Sequence, residues 1–305
     1  MTLLSICIPA YNGGKYIGEN LSRLSSQFGE VQSGEVEILV CDDGSKDNTV
    51  EVVQNYASRF PNIQLLRNEK NLGFDRNVDK VLSAGSGQFR WLLSQDEFVE
   101  PGSLKFLLSV LKNHPSAAYI AISDEPGKEL VEFKNGSEFL KVLGLKGGLL
   151  SQNIFNAKFL PTDRQQYYGN LWFHYSLALE VMATHPALLI KNIFAATDHT
   201  PAWAKGGLAI RTFTNLKNIV AHLPKLGYKP KTISGLQKDF ARQLPRTLAS
   251  AKLNGLKVSW NNFWLLITQW WNRPLALLAS LVIFFCPLYL LKNIKTILFN
   301  PKQSF

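Results

Sequence analysis

An α/β fold, with a mostly parallel sheet covered by helices on both faces, is what this 305-residue sequence predicts. Two observations carry that reading. Over the first 123 residues, short apolar runs of strand length alternate with segments whose apolar residues recur at helical spacing. Each pair of runs is also separated by enough chain for a helical crossover, which parallel neighbours need and hairpins do not.

The elements follow in order. Residues 3–9 (LLSICIP), 36–41 (VEILVC), 63–67 (IQLLR), 89–94 (FRWLLS) and 117–123 (AAYIAIS) are the expected strands. Between them, Ile17, Leu21 and Leu24 repeat at i, i+4, i+7, and Val50, Val53 and Ala57 form a second such face. Val78, Val81 and Leu82, then Leu104, Leu107, Leu108 and Leu111, complete four helices. Ser45 or Asp47 is the expected cap of the second helix. Farther on, NGSEFLKVLG reads as a helix capped by Ser137, and residues 167–186 as another that stops before Pro186.

Charge divides the chain. Residues 201–305 hold 15 Lys and Arg against one acid, Asp239, a balance of +14, whereas residues 1–200 hold 18 against 22, a balance of −4. The expected domains are therefore 1–207, whose strand–helix alternation is read over 1–123, and a basic helical region at 208–305. Trp260, Trp264, Trp270 and Trp271 precede an uncharged run of 18 residues, 274–291, with Arg273 before it and Lys292 and Lys295 after it. Interfacial Trp and flanking bases suit a water–lipid boundary, and a nucleic-acid binder has no use for the apolar run. The run falls short of the ~20 residues of a span and contains Pro287, so an in-plane membrane element is favoured over a transmembrane helix or a buried core helix. Cys7, Cys41 and Cys286 lie apart in apolar runs, which fits neither a disulfide framework nor a zinc pattern. A reducing cytoplasm is expected, and no secretory signal is read at the N-terminus.

Four strand-to-helix loops carry the polar residues: PAYNGGKY, DDGSKDNT, NEKNLGFDRN and SQDEFVEPG. In a parallel sheet these loops leave the carboxyl ends of the strands, where ligands bind. Tyr11, Asn12, Asp42, Asp43, Asn71, Asp75, Arg76, Asp96 and Glu97 are thereby gathered at one edge. Asp43 is expected to accept a hydrogen bond from a base or ribose, Tyr11 to offer a ring face, and Arg76, at a helix start beside Gly73, to meet a phosphate. Each loop also has a plainer use in turns, caps and surface ion pairs.

Taken in order, SICIPAYNGGKYIGENLSRLSSQ, VEILVCDDGSKDNTVEVV and NLGFDRNVDKVLSAGSGQFRWLLSQDEFVEPGSL resemble family 2 glycosyltransferases of the GT-A fold, over residues 3 to about 110. The layout downstream is similar to the abequosyltransferase-type branch of surface polysaccharide assembly. The resemblance implies a nucleotide-binding half at 1–123 and an acceptor-side half at 124–207, with nucleotide contacts from Pro9, Ala10, Tyr11, Asn12, Asp42, Asp43, Asn71, Gly73, Arg76 and Gln95. It also implies a divalent cation, Mg²⁺ or Mn²⁺, on an Asp-x-Asp at the end of the fourth strand. Here Ser94 stands at the first Asp position, Gln95 at the variable one and Asp96 at the last, so Asp96 is the implied ligand, with His199 as a second. The family's acidic pair before the acceptor-side helix is absent; His174 and Asp163 are the candidate bases. The implied reaction moves a sugar from a nucleotide-diphosphate donor to a polyprenyl-diphosphate-linked saccharide. The expected location is the cytoplasmic face of the inner membrane, peripheral or monotopic, with a span at 274–291 as the alternative. Transfer directly to polyprenyl phosphate, or non-catalytic binding of the nucleotide sugar, are the other readings.

Overall fold

The computed structural model describes residues 2–123, 130–144, 148–194, 215–216, 218–253, 255, 260–261, 263–264, 267 and 274–293. Strands β1 (Leu4–Ala10), β2 (Val36–Asp42), β3 (Ile63–Arg67) and β4 (Phe89–Leu92) pair in parallel in the order β3-β2-β1-β4, with Ile6 level with Ile38 and Trp91. Helices α1 (Gly14–Ser25), α2 (Thr49–Arg59), α3 (Phe74–Ala84) and α4 (Ser103–Asn113) lie between or after them as expected. Because strand side chains alternate between faces, Leu4, Ile6, Ile8 and Ala10 of β1 join Ile17, Leu21 and Leu24 of α1, Val53 of α2 and Leu104 and Leu107 of α4 in one core. The opposite face takes the buried Val78, Val81 and Leu82 of α3, which packs on β1 and β2.

The rest of the sheet departs from the expected pattern. Strand β5 (Tyr119–Ser123) is not beside β4; β7 (Asn153–Asn156) enters between them, antiparallel to both. Beyond β5 come β8 (Ala187–Lys191), parallel to it, and β6 (Leu130–Phe133), antiparallel at the edge. Among the described residues the sheet is thus eight-stranded and mixed. Helix α5 (Gly136–Val142) is capped by the Asn135 side chain, which accepts from the N–H groups of Ser137 and Glu138, so Ser137 is not the cap. Helix α6 (Phe173–Thr184) is buried on nearly all sides, as its uniformly apolar sequence demands. Asn48, without a side-chain bond, stands at the cap of α2; Asp47 instead accepts from Thr49 N–H and, through Oδ2, from Gly14 N–H at the start of α1.

The chain divides into two units, Met1–Leu143 with Gly147–Thr197, and Gly144–Lys146 with Asp198–Phe305. The second contains α7 (Pro230–Leu253), α8 (Pro274–Phe285) and α9 (Leu288–Asn293). The apolar run 274–291 is therefore not one helix: it breaks at Cys286 and Pro287, whose ring nitrogen has no hydrogen to donate. Among the described residues, no helix is long and apolar enough to cross a membrane.

Candidate active site

The carboxyl ends of β1, β2 and β4 and the loop after β3 are stitched together by side chains from the loops themselves. Asn12, at φ 48, donates its N–H to Ser45 Oγ (2.8 Å) and accepts from Lys46 N–H through Oδ1 (2.8 Å), which joins the first loop to the second. Gln95 joins the first to the fourth: its Oε1 accepts from Tyr11 N–H (3.0 Å) and its Nε2 donates to Tyr11 O (3.2 Å). A Cβ on Gly13 would lie 2.1 Å from Gln95 Oε1, so glycine is what lets this amide close over the loop. Tyr11 itself stays 46% exposed, its ring available to a ligand.

The two adjacent aspartates are buried and have separate structural tasks. Asp42 accepts from Gly44 N–H and Ser45 N–H and so folds the turn. Asp43 accepts from Asn68 Nδ2 (2.8 Å) and Leu72 N–H (2.8 Å) at Oδ1, and from Gly73 N–H (3.0 Å) at Oδ2, while its own N–H donates to Ala10 O. Each oxygen has two lone pairs, so protein groups leave Asp43 one. Its bonds within the protein hold the third loop. Asn71 Oδ1 also accepts from Gly73 N–H (2.9 Å), and Gly73, at φ 86, opens α3. Gly44, at φ 74, lies so close that a Cβ would meet Asn71 N at 3.2 Å.

At the end of β4, Ser94 donates its hydroxyl to Asp96 Oδ1, and its N–H donates to Ser151 Oγ (2.8 Å). Asn20, fully buried on α1, donates through Nδ2 to the carbonyls of Ser94 (2.9 Å) and Glu97 (2.8 Å), which fixes both ends of the Ser-Gln-Asp-Glu loop. A hard cation such as Mg²⁺ or Mn²⁺ is satisfied by one or two carboxylates with substrate phosphates and waters. Asp96, half-buried at the strand end, fits that requirement. Among the described residues no group of three or more His, Cys, Asp or Glu forms a protein-only site, and His199 lies outside those residues.

Three further expected site residues have surroundings of their own. Arg76 lies with its guanidinium over the Tyr168 ring, 4.7 Å from the centroid. His174 is buried; its Nε2–H donates to Gly148 O (2.7 Å), and its ring packs against Phe74 and Trp172. Burial pushes its pKa down to about 4, and Nδ1 is left without a partner. A neutral imidazole closed off in this way is a packing residue, not a base open to an acceptor. Asp163 is exposed, its backbone carbonyl accepting from Gln166 Nε2.

Two sets of bonds went unread in the sequence, although Asp75 itself was expected at the ligand edge. The buried Asn68 and Asn77 pair with one another, and Asn77 donates to Cys41 O (2.9 Å), tying α3 to β2. At the start of α6 a carboxylate arrives from α3: Asp75 Oδ2 accepts from Gly169 N–H (2.8 Å) and Leu171 N–H (3.0 Å). Leu171 sits at φ 62, a conformation most side chains avoid, and these bonds help hold it there. A polar residue at a helical position facing the core was the available signal.

With this geometry in place, comparison gives concordant results. The family model of glycosyl transferase family 2 matches residues 5–177. Abequosyltransferase RfbV of Salmonella typhimurium is 32% identical over 135 residues, 44% of this chain and 39% of that protein, so this chain aligns with well under half of its relative. Among solved structures, Staphylococcus aureus TarS 1–349 superposes with a TM-score of 0.58 at 16% identity, covering 99% of this chain and 92% of that one. A mannosyltransferase of Pyrobaculum calidifontis, solved with GDP-Man and Mn²⁺, gives 0.56 at 17% identity over 92% and 86%. At such identities the structures speak for the fold alone, which is GT-A-like.

Proposed function

The chain belongs to glycosyl transferase family 2, and from that premise we propose that it transfers a sugar from a nucleotide-diphosphate donor to a lipid-linked saccharide at the cytoplasmic membrane face, in surface polysaccharide assembly. The observation that carries the reading is the joined set of four loops at the carboxyl edge of β1 to β4, with Tyr11 exposed above it and Asp96 at its rim. Tyr11 and the loops ordered by Asp42 and Asp43 receive the nucleoside; Pro9, Ala10, Asn12, Asn71, Gly73 and Gln95 shape that floor. Mg²⁺ or Mn²⁺ bound at Asp96 would neutralise charge on the departing diphosphate.

Transfer requires an acceptor hydroxyl oxygen to bond to the anomeric carbon as the carbon–diphosphate oxygen bond breaks, and a group to take the hydroxyl proton. Asp163 is assigned that proton, because it is an exposed carboxylate on the connection into α6 whereas His174 is closed off and hard to protonate. The basic second unit keeps the enzyme near its lipid-borne acceptor.

Ser94, in place of a carboxylate, favours a second reading, a protein that binds a nucleotide sugar without turning it over. A thermal-shift screen of nucleoside diphosphates and their sugars, with and without Mn²⁺, tests the site: stabilisation by one base with its diphosphate, enhanced by Mn²⁺, is expected. No stabilisation by any of them overturns the proposed site.

A further inference from the structure

Among its described residues the second unit carries an exposed apolar face. On α8, Leu275, Leu278, Val282 and Phe285 recur three and four residues apart and so share one side of the helix, exposed by 83, 61, 63 and 61%. Leu288, Tyr289 and Leu290 of α9 extend the exposed apolar surface, and Trp260 and Trp264, four residues apart, are exposed as well. The other side of α8 is satisfied: Ser280 and Phe284 are fully buried, and the helix packs on α7, whose Leu248, Ala249 and Ala251 are buried. A helix apolar all round that buries only half its circumference in protein has its remaining half for another apolar medium.

The break at Pro287 frees carbonyls that hydrocarbon would not tolerate. Lys252 of α7, itself buried, meets this need: its Nζ donates to Ile283 O (3.1 Å), Phe284 O (2.5 Å) and Cys286 O. The ammonium thus caps the carboxyl end of α8 from the inner side, where the helix dipole also favours a cation. With those oxygens occupied, the outward side offers apolar groups almost alone.

We propose that α8 and α9 form an in-plane docking surface for an anionic bilayer, with the row Leu275, Leu278, Val282 and Phe285 sunk among the acyl chains and Lys252 as its internal latch. This deepens the membrane-face part of the proposed function and rests on it. Charge selects lipid over a second copy of the chain, and length selects an in-plane position over a span. Residues 201–305 carry 15 bases against one acid, and Lys238 and Arg242 are exposed on α7, so self-association would oppose two strongly positive regions where an anionic headgroup layer would neutralise one. The 12 residues of α8 also reach only about 18 Å, against ~30 Å of hydrocarbon, a length that lies in one leaflet rather than crossing two.

The full chain is tested by flotation with vesicles of phosphatidylcholine alone or with about a third phosphatidylglycerol. Binding is expected to be stronger to the anionic vesicles and to persist in high salt. Val282→Asp with Phe285→Asp, at exposed positions that leave the core intact, should lower binding about tenfold or more. Tryptophan fluorescence should be quenched more by lipids brominated near the headgroup than by lipids brominated near the chain end. UDP-sugar or GDP-sugar binding, followed by thermal shift, should be unchanged in the double variant, which separates failure of this surface from failure of the donor site. Wild-type-like flotation of the variant, stronger quenching from chain-end bromines, or a dimer that the two Asp convert to monomer without loss of flotation would each overturn the proposal.

Discussion

Asp43 and His174 show how little a residue's type says about its task until its neighbours are known. Both were legible as polar groups in suggestive places. The three protein donors on Asp43 and the closed pocket around His174 were not, because they arise from loops brought together over 25 or more residues. Asp43→Ala is now expected to cost about 3 kcal/mol of stability, since it strips a buried acceptor from Asn68, Leu72 and Gly73, and to weaken nucleotide binding as the third loop loosens. Urea denaturation beside calorimetric titration checks both; an undiminished midpoint would return Asp43 to a purely ligand-facing role. His174 makes a signed prediction for pH. Its folded pKa, about 4, lies below the ordinary 6.5, so above pH 6.5 it is neutral in both states and costs nothing. As pH falls from 6.5 to 4 only the unfolded chain gains the proton, so this site should withdraw on the order of 3 kcal/mol of stability across that window. Stability curves of the wild type and His174→Gln should converge toward pH 4; parallel curves would mean that the imidazole protonates in the fold. At the strand end, Asp96→Asn should remove the effect of Mn²⁺ on donor binding, because an amide is a poor ligand for a hard cation, and titration with and without chelator reads it directly.

At the scale of elements, the first five strands and four helices were readable because each has one dominant period and a loop rich in turn residues at its end. The second half was not. Strand β7, Asn-Ile-Phe-Asn, is too short for alternation to register, and its insertion between β4 and β5 is a pairing that no local pattern announces. The loops were legible as a set; the clamps that order them were not, since Asn20 looked like an ordinary polar residue of a helix and Gln95 was expected at the nucleotide rather than across Tyr11. Gly13→Ala tests such a clamp. The added methyl would displace Gln95 from Tyr11, so weaker donor binding with a stability loss of about 1 kcal/mol is expected in paired titration and denaturation experiments. Unchanged donor binding would show that the first and fourth loops need no tie. In the second unit, Lys252→Met should destabilise the α7–α8 pair by about 2 to 4 kcal/mol, since the carbonyls around Pro287 lose their donor, and hydrogen exchange of α8 amides would report it.

For the whole molecule, a mixed sheet presents four ordered loops at one edge, while a separate basic unit carries an apolar face. The charge imbalance and the apolar run are read directly from the sequence, whereas the break of the run at Pro287 and its latch to Lys252 needed the fold. The central claim is that the ordered edge is a catalytic donor site. Transferases that bind an activated sugar leak it slowly to water, so the direct measurement is release of nucleoside diphosphate when the full chain is incubated with a panel of nucleotide-diphosphate sugars and Mn²⁺, beside the Asp96→Asn variant. Release from at least one donor by the wild type, lost in the variant, is the predicted result; donors that bind and are protected, with no release from any of them, would contradict it.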